Sequence, residues 1–128
     1  MRIYLHNEID LDGQTEVVEQ QFDVEVMEKG HYLYLMYIND EQEKVIIKCN
    51  DTELVMTRFS NPKTIMRFVP DKEAIVTIPT PVGIQHFVTV TKYYKFNRQR
   101  KLLHVQYELR GMENQQRFAA YKMDISWG

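Results

Sequence analysis

Cysteine, glycine and proline are all scarce in this chain of 128 residues. Cys49 is the only cysteine, so no internal disulfide can form. The five glycines are scattered among predicted turns, and this excludes a glycine-rich phosphate loop or a dinucleotide fingerprint. No apolar run approaches membrane-spanning length, and the first residues do not resemble a signal peptide. Together these absences predict a cytoplasmic protein that has no membrane partner.

The composition is typical of a globular protein, with 44% hydrophobic and 27% charged residues. The length predicts a single domain over residues 1–128, large enough to fold without a disulfide or metal. The net charge of −2 conceals an asymmetry. Residues 1–60 hold five Lys/Arg and thirteen Asp/Glu (−8), whereas residues 61–128 hold eleven and five (+6). The asymmetry favours halves that pair across one sheet over a polarity that guides a partner or head-to-tail association.

Alternation of apolar and polar residues dominates the sequence. In its clearest stretch, Leu103, Val105, Tyr107 and Leu109 share one parity, and the polar residues 104, 106, 108 and 110 share the other. Because successive side chains of a strand point to opposite faces, one face of this segment is predicted to be buried. The pattern recurs with a turn signal every eight to twelve residues. It predicts an all-β fold, a single up-and-down antiparallel barrel of about ten strands, whose closure removes exposed edges.

Hairpin signals such as Asp12-Gly13 and Asn50-Asp51 set the boundaries of the predicted strands. The strand over residues 84–96 is too long to stay straight in a small barrel, so it is predicted to bend at a bulge. Residues 114–122 also suit a helix, but alternation that continues to Trp127 favours a strand. The predicted strands are 2–9, 15–27, 31–38, 44–49, 52–59, 63–69, 73–78, 84–96, 101–110 and a final segment ending near residue 127.

Five segments carry a resemblance to a known family: Tyr32-Leu33-Tyr34, Arg58, Thr80-Pro81-Val82-Gly83, Tyr107-Glu108-Leu109 and Met123-Asp124-Ile125. With them, the chain as a whole resembles the YwiB-like family, a β-barrel domain of unknown function within the calycin (lipocalin-like) superfamily. It departs from the family pattern after Arg58, where Phe59, Ser60 and Asn61 replace a nearby glycine. The resemblance implies a barrel fold in a bacterial cytoplasm, and it implies no activity or catalytic residues.

Catalytic and metal-binding patterns are weak. The four histidines have no His, Cys or carboxylate at a recognised ligand spacing, although a zinc site assembled from separate strands stays an alternative. Cys49 shares the apolar parity of Val45 and Ile47, which favours a core thiol over a nucleophile. No serine lies in a nucleophile-elbow pattern. We therefore expect no enzyme activity, no cofactor and no metal site.

Binding of a small apolar or anionic ligand inside the barrel is the leading functional prediction. Arg58 and Arg67 lie in neighbouring strands, and an inward guanidinium would need a partner such as a ligand carboxylate. The tyrosines expected to supply hydroxyls are Tyr32, Tyr34, Tyr107 and Tyr121. The alternative is that each arginine faces outward or pairs with an internal glutamate. The rival function is a filled barrel that acts through protein–protein contact or homodimerisation, through the strand 31–38, which is apolar or aromatic on both faces.

The hairpin over residues 92–101 raises a third, less favoured function. Arg98, Arg100 and Lys101 follow Tyr93, Tyr94 and Phe96, and aromatic and basic groups together suit single-stranded nucleic acid. The acidic pI of about 6.1 argues against nucleic acid as a partner.

Overall fold

Eleven strands and no helix make up the computed structural model, which describes residues 1–128. No segment therefore forms a long apolar helix of the kind that crosses a membrane. The strands, in chain order, are β1 Arg2–Leu11, β2 Gln14–Asp23, β3 Glu25–Lys29, β4 Tyr32–Ile38, β5 Lys44–Cys49, β6 Leu54–Arg58, β7 Thr64–Phe68, β8 Glu73–Thr80, β9 Gly83–Asn97, β10 Leu102–Gly111 and β11 Arg117–Trp127.

The strands form two antiparallel sheets, so the predicted closed barrel of ten strands is wrong. The first sheet has the order β2-β1-β11-β10-β9-β8, and the second has the order β3-β4-β5-β6-β7. The predicted second strand is interrupted at Val24, whose N–H donates to the Met1 carbonyl at 3.0 Å. Its first part, β2, pairs with β1, and its second part, β3, pairs with β4 of the other sheet. One bent strand thus joins the two sheets at this corner.

At the opposite corner β7 and β8 lie next to each other without a ladder of backbone hydrogen bonds. The buried Thr89 hydroxyl bridges this seam, because it lies 3.0 Å from the Arg67 carbonyl and 3.2 Å from the Ala74 carbonyl. The sheets part here since the chain turns at Pro70, which has no N–H, and at Asp71, which has a φ of 62°.

A single cluster of 17 buried residues fills the space between the sheets. The predicted inward row Leu103, Val105, Tyr107 and Leu109 is confirmed, with no member more than 6% exposed. The long strand is confirmed as β9, and its register shifts opposite Gln106 and Tyr107, where the extra residue is Lys92. The final segment is a strand, because β11 pairs with β1 on one side and β10 on the other.

Candidate functional site

Two stacked aromatic rings form a wall of a cleft where the sheets separate. Phe22 of β2 lies on Tyr37 of β4, with ring centroids 5.0 Å apart and planes 12° apart. Each ring is the last inward-facing side chain of its strand. The two strands belong to different sheets, because β4 pairs with β3 and not with β2, and this leaves a gap beside the rings. The cleft has a volume of about 280 Å³. We call it the mouth cleft, and its principal lining residues are Gln20, Phe22, Tyr37, Val45, Met56 and Arg58.

Arg58 places the only guanidinium in the mouth cleft. It is the last residue of β6, it lies opposite Val45, and its side chain is 46% exposed. Its Nε lies 3.0 Å from Oε1 of Glu43, while its Nη2 lies 3.6 Å from Oε2 of Glu41, too far for a hydrogen bond. The Asn39 side-chain amide donates to the same oxygen of Glu43 at 3.2 Å. Glu43 therefore holds Arg58 through Nε and leaves the terminal N–H groups for another acceptor.

Tyr37 adds a neutral hydroxyl to the cleft. Burial raises the pKa of Tyr37 to about 12, and the positive charge of Arg58 offsets part of that rise. The ring is only 8% exposed, and its hydroxyl makes no hydrogen bond to the protein. The buried polar atoms that lack a partner are Asn7 Oδ1 and Thr91 Oγ1, so the Tyr37 hydroxyl still reaches solvent and is open to an acceptor beside it.

Arg67, the second predicted arginine, does not reach the cleft. It lies on the outer face of β7, with an exposed side chain, whereas Phe68 beside it is buried. The tyrosines divide in the same way. Tyr32 and Tyr34 lie half-buried on the outer face of β4, and Tyr32 donates to Glu53 at 3.4 Å while the Lys48 ammonium lies 4.1 Å from its ring centre.

Tyr107 and Tyr121 lie inside but belong to the packing of the core. Their rings stack with centroids 4.6 Å apart, and Tyr107 also contacts Phe68 at 4.4 Å. Burial raises the pKa of both hydroxyls, which keeps them neutral. Of the six predicted ligand residues, only Arg58 lines the mouth cleft. Phe22 and Tyr37 were not predicted as ligand contacts. Each has the parity of the buried residues of its strand and lies near the end of that strand, and this pattern is the signal that could have identified them.

The basic hairpin between β9 and β10 exposes only one of its three aromatic rings, that of Tyr93, which is 47% exposed. Tyr94 points inward and donates to the carbonyls of Asn50 and Glu53, and Phe96 packs on Trp127 with centroids 6.2 Å apart. Arg98, Arg100 and Lys101 are all exposed, and Arg98 is ion-paired with Glu28 at 3.2 Å, so the cations without an acidic partner at the tip are Arg100 and Lys101. This geometry does not favour stacking of nucleobases.

The remaining candidates lie apart from the cleft. Cys49 is fully buried, and burial raises the pKa of its thiol to about 12. Two histidines face outward next to carboxylates, with His6 Nδ1 2.9 Å from Glu19 and His104 Nδ1 2.6 Å from Asp124. The strand 31–38, predicted as an apolar contact surface, becomes β4 between β3 and β5, and its outer face is half-buried except at Ile38.

Comparison with known proteins gives a family and a fold. The model of a family described as "Domain of unknown function (DUF1934)" matches residues 3–125. The crystal structure of the ywiB protein from Bacillus subtilis superposes with a TM-score of 0.78, at 21% identity, covering 99% of this chain and 90% of that one. The predicted YwiB-like resemblance is thereby confirmed, and the likeness at this identity concerns the fold alone. No curated protein sequence matches the chain.

Proposed function

The chain belongs to the DUF1934 family of domains of unknown function, and from that premise we propose that it is a non-catalytic module that binds a small, partly apolar ligand in the mouth cleft. The observation that carries the proposal is the juxtaposition of an aromatic wall with unused polar donors. A flat apolar group packs against the Phe22–Tyr37 stack, and an acceptor group faces Arg58 and the Tyr37 hydroxyl. Pockets that bind small molecules combine these two features.

The charge around Arg58 defines which ligand group fits. Glu43 forms an ion pair at Nε, so a ligand carboxylate or carbonyl would bind the terminal N–H groups, where Glu41 at 3.6 Å is the competitor. The Glu41 side chain is 70% exposed, and its displacement into water costs little. The ligand is therefore a compact aromatic or aliphatic molecule with one acceptor end, of the apolar or anionic kind that the sequence predicts.

The proposal of a non-catalytic role has support at the one cysteine. Nucleophilic thiols are thiolates in exposed, electropositive surroundings. Cys49 is instead enclosed by the core, and its raised pKa keeps the thiol protonated. We further propose a cytoplasmic location, in line with a single reduced cysteine.

A fluorescent probe tests the proposal, with two arginine variants as a matched pair. The probe 8-anilinonaphthalene-1-sulfonate is both aromatic and anionic, and we expect saturable binding to the folded protein. Arg58→Met should weaken this binding by roughly tenfold or more, because a charge-assisted hydrogen bond is lost. Arg67→Met removes the same charge from the outer face and should leave the affinity within about a factor of two. Equal affinities for the two variants would refute the assignment of Arg58.

Tyr37→Phe separates the two parts of the site. It keeps the stacked ring and removes only the hydroxyl. The neutral probe N-phenyl-1-naphthylamine should bind this variant as it binds the original protein, since packing on the ring carries that affinity. The anionic probe should bind it less tightly. Loss of both probes would indicate that the cleft itself has collapsed, and thermal unfolding of the variant would show this directly.

A further inference from the structure

The β8–β9 hairpin is the longest uncharged part of the chain. Residues 74–91 contain no Asp, Glu, Lys or Arg, in a protein that is 27% charged. Exposed aliphatic side chains lie on it: Ile75 is 65% exposed, Val82 is 84% exposed and Ile84 is 58% exposed. Soluble proteins seldom leave neighbouring aliphatic residues so open on an edge strand unless something covers them.

These side chains form a continuous patch. Pro79 lies opposite Ile84 in the β8–β9 ladder, and Ile75 shares the parity of Pro79, so these three lie on the outer face of the hairpin, with Val82 at the tip. Val88, opposite Ile75, is only 6% exposed and lies beneath the patch rather than in it. The two polar residues between them satisfy each other, since the Thr77 hydroxyl lies 3.0 Å from Nδ1 of His86. Covering the patch therefore leaves the Thr77 hydroxyl with its partner. We call this surface the hairpin patch.

We infer that the hairpin patch is a homodimer interface, in which the outer faces of two β8–β9 hairpins pack across a two-fold axis. In such an interface the same surface meets itself, so a charge near the axis approaches the identical charge of the second copy. A surface that lacks charged residues avoids that repulsion. The self-contact is therefore consistent with the composition of residues 74–91.

The other open edge of the first sheet illustrates the contrast. β2 also exposes an aliphatic residue, Val17 at 52%, but Glu16 and Glu19 flank it. Two copies meeting there would bring four carboxylates together. β8 avoids this, and Pro79 deprives it of one backbone donor, which disfavours the addition of a strand to its edge. The dimer contact is thus packing of side chains rather than extension of the sheet.

Sedimentation velocity of the full chain tests the inference. We expect the original protein to sediment as a dimer, at twice the monomer mass of 15.4 kDa, at concentrations of about 10–100 μM. Ile75→Lys and Ile84→Lys should each raise the dissociation constant at least about tenfold, because each places two ammonium groups at the contact. Val17→Lys is the matched control, with the same new charge on β2, and should remain dimeric.

Each alternative outcome overturns the inference in a recognisable way. A monomeric original protein would end it, as would dimers that survive both hairpin substitutions. Dissociation by Val17→Lys alone would move the interface to β2. Co-sedimentation of the original protein with phosphatidylcholine vesicles, abolished by Ile84→Lys, would assign the patch to a lipid surface instead. If either lysine variant fails to show the original circular dichroism spectrum, Val82→Asp at the exposed tip replaces it.

Discussion

Arg58 faces the mouth cleft and Arg67 faces outward, whereas the sequence alone left the face of both arginines open. Arg58 shares the parity of Leu54 and Met56, which do face inward. Arg67 shares the parity of Ile65, and the sequence of β7 is apolar at positions of both parities. When both faces of a short strand carry apolar residues, alternation cannot identify the buried one. The outward position of Arg67 follows from the tertiary packing of Phe68 and Met66 against the core.

Cys49 provides a test of burial at the level of one residue. Burial raises the pKa of its thiol from 9.0 to about 12, and that of Tyr37 from 10.0 to about 12. Below pH 9 the Cys49 thiol is protonated in both the folded and the unfolded chain, so it adds no pH dependence. Above pH 9 only the unfolded chain releases the proton, and the free energy of unfolding should fall by up to about 1.4 kcal/mol per pH unit.

Urea denaturation at pH 8, 9 and 10 measures this slope. Cys49→Ala should have lower stability at every pH because it leaves a small cavity. Between pH 9 and 10 the tyrosines contribute equally to both proteins, so the slope of the variant should be smaller than that of the original protein by the thiol contribution. An unchanged slope in the variant would show that Cys49 titrates normally in the folded protein.

At the scale of strands, the turn signals and the length of each alternating segment predicted the structure well, whereas unbroken alternation did not guarantee an unbroken strand. The length of β9 predicted a bulge, and the register shift at Lys92 confirms one. The break at Val24 left no signal, because Phe22, Val24 and Val26 keep one parity through the corner. The helical alternative for residues 114–122 fails over β11 because two neighbouring strands pair with it, and such tertiary pairing overrides local propensity.

Two buried threonines in β9 test how the seam between β7 and β8 is held. The Thr89 hydroxyl bonds across the seam, whereas the Thr91 hydroxyl is buried and has no partner. Thr89→Val keeps the shape, leaves a backbone carbonyl unpaired and should lower the free energy of unfolding by about 1–3 kcal/mol. Thr91→Val, the matched control, should be neutral or stabilising because it removes an unsatisfied group. Denaturant midpoints that fall equally for both variants would contradict this role of Thr89.

At the scale of the whole molecule, local alternation predicted strands and meanders but not where the sheets separate. The first and last strands, β1 and β11, do pair, as closure of a barrel would require. The opening lies instead in the middle of the chain, between β7 and β8, where the backbone of a turn leaves no ladder. The turn at Pro70 and Asp71 does not reveal the seam from sequence alone, because the similar turn at Asn61 and Pro62 joins two strands that do pair. The mouth cleft depends on the same large-scale geometry, which explains why Arg58 is the one residue of its lining that the sequence predicted as a ligand contact.

The predicted pairing of the acidic and basic halves is partly visible at this scale. β1 and β2 from the acidic half join β8 to β11 from the basic half in one sheet, and Glu8 lies opposite Lys122. Arg98 and Glu28 form an ion pair between the two sheets. Opposite charges thus lie on facing strands where the two halves of the chain meet.

Ligand binding in the mouth cleft is tested most directly by a two-dimensional ¹H–¹⁵N NMR titration of the full chain with 8-anilinonaphthalene-1-sulfonate. The changes in amide shift should be largest at Phe22, Tyr37 and Arg58, and should become small in Arg58→Met. Changes confined to residues 74–91 would show that the probe prefers the hairpin patch, and no saturable change at Phe22 and Tyr37 would contradict binding in the cleft.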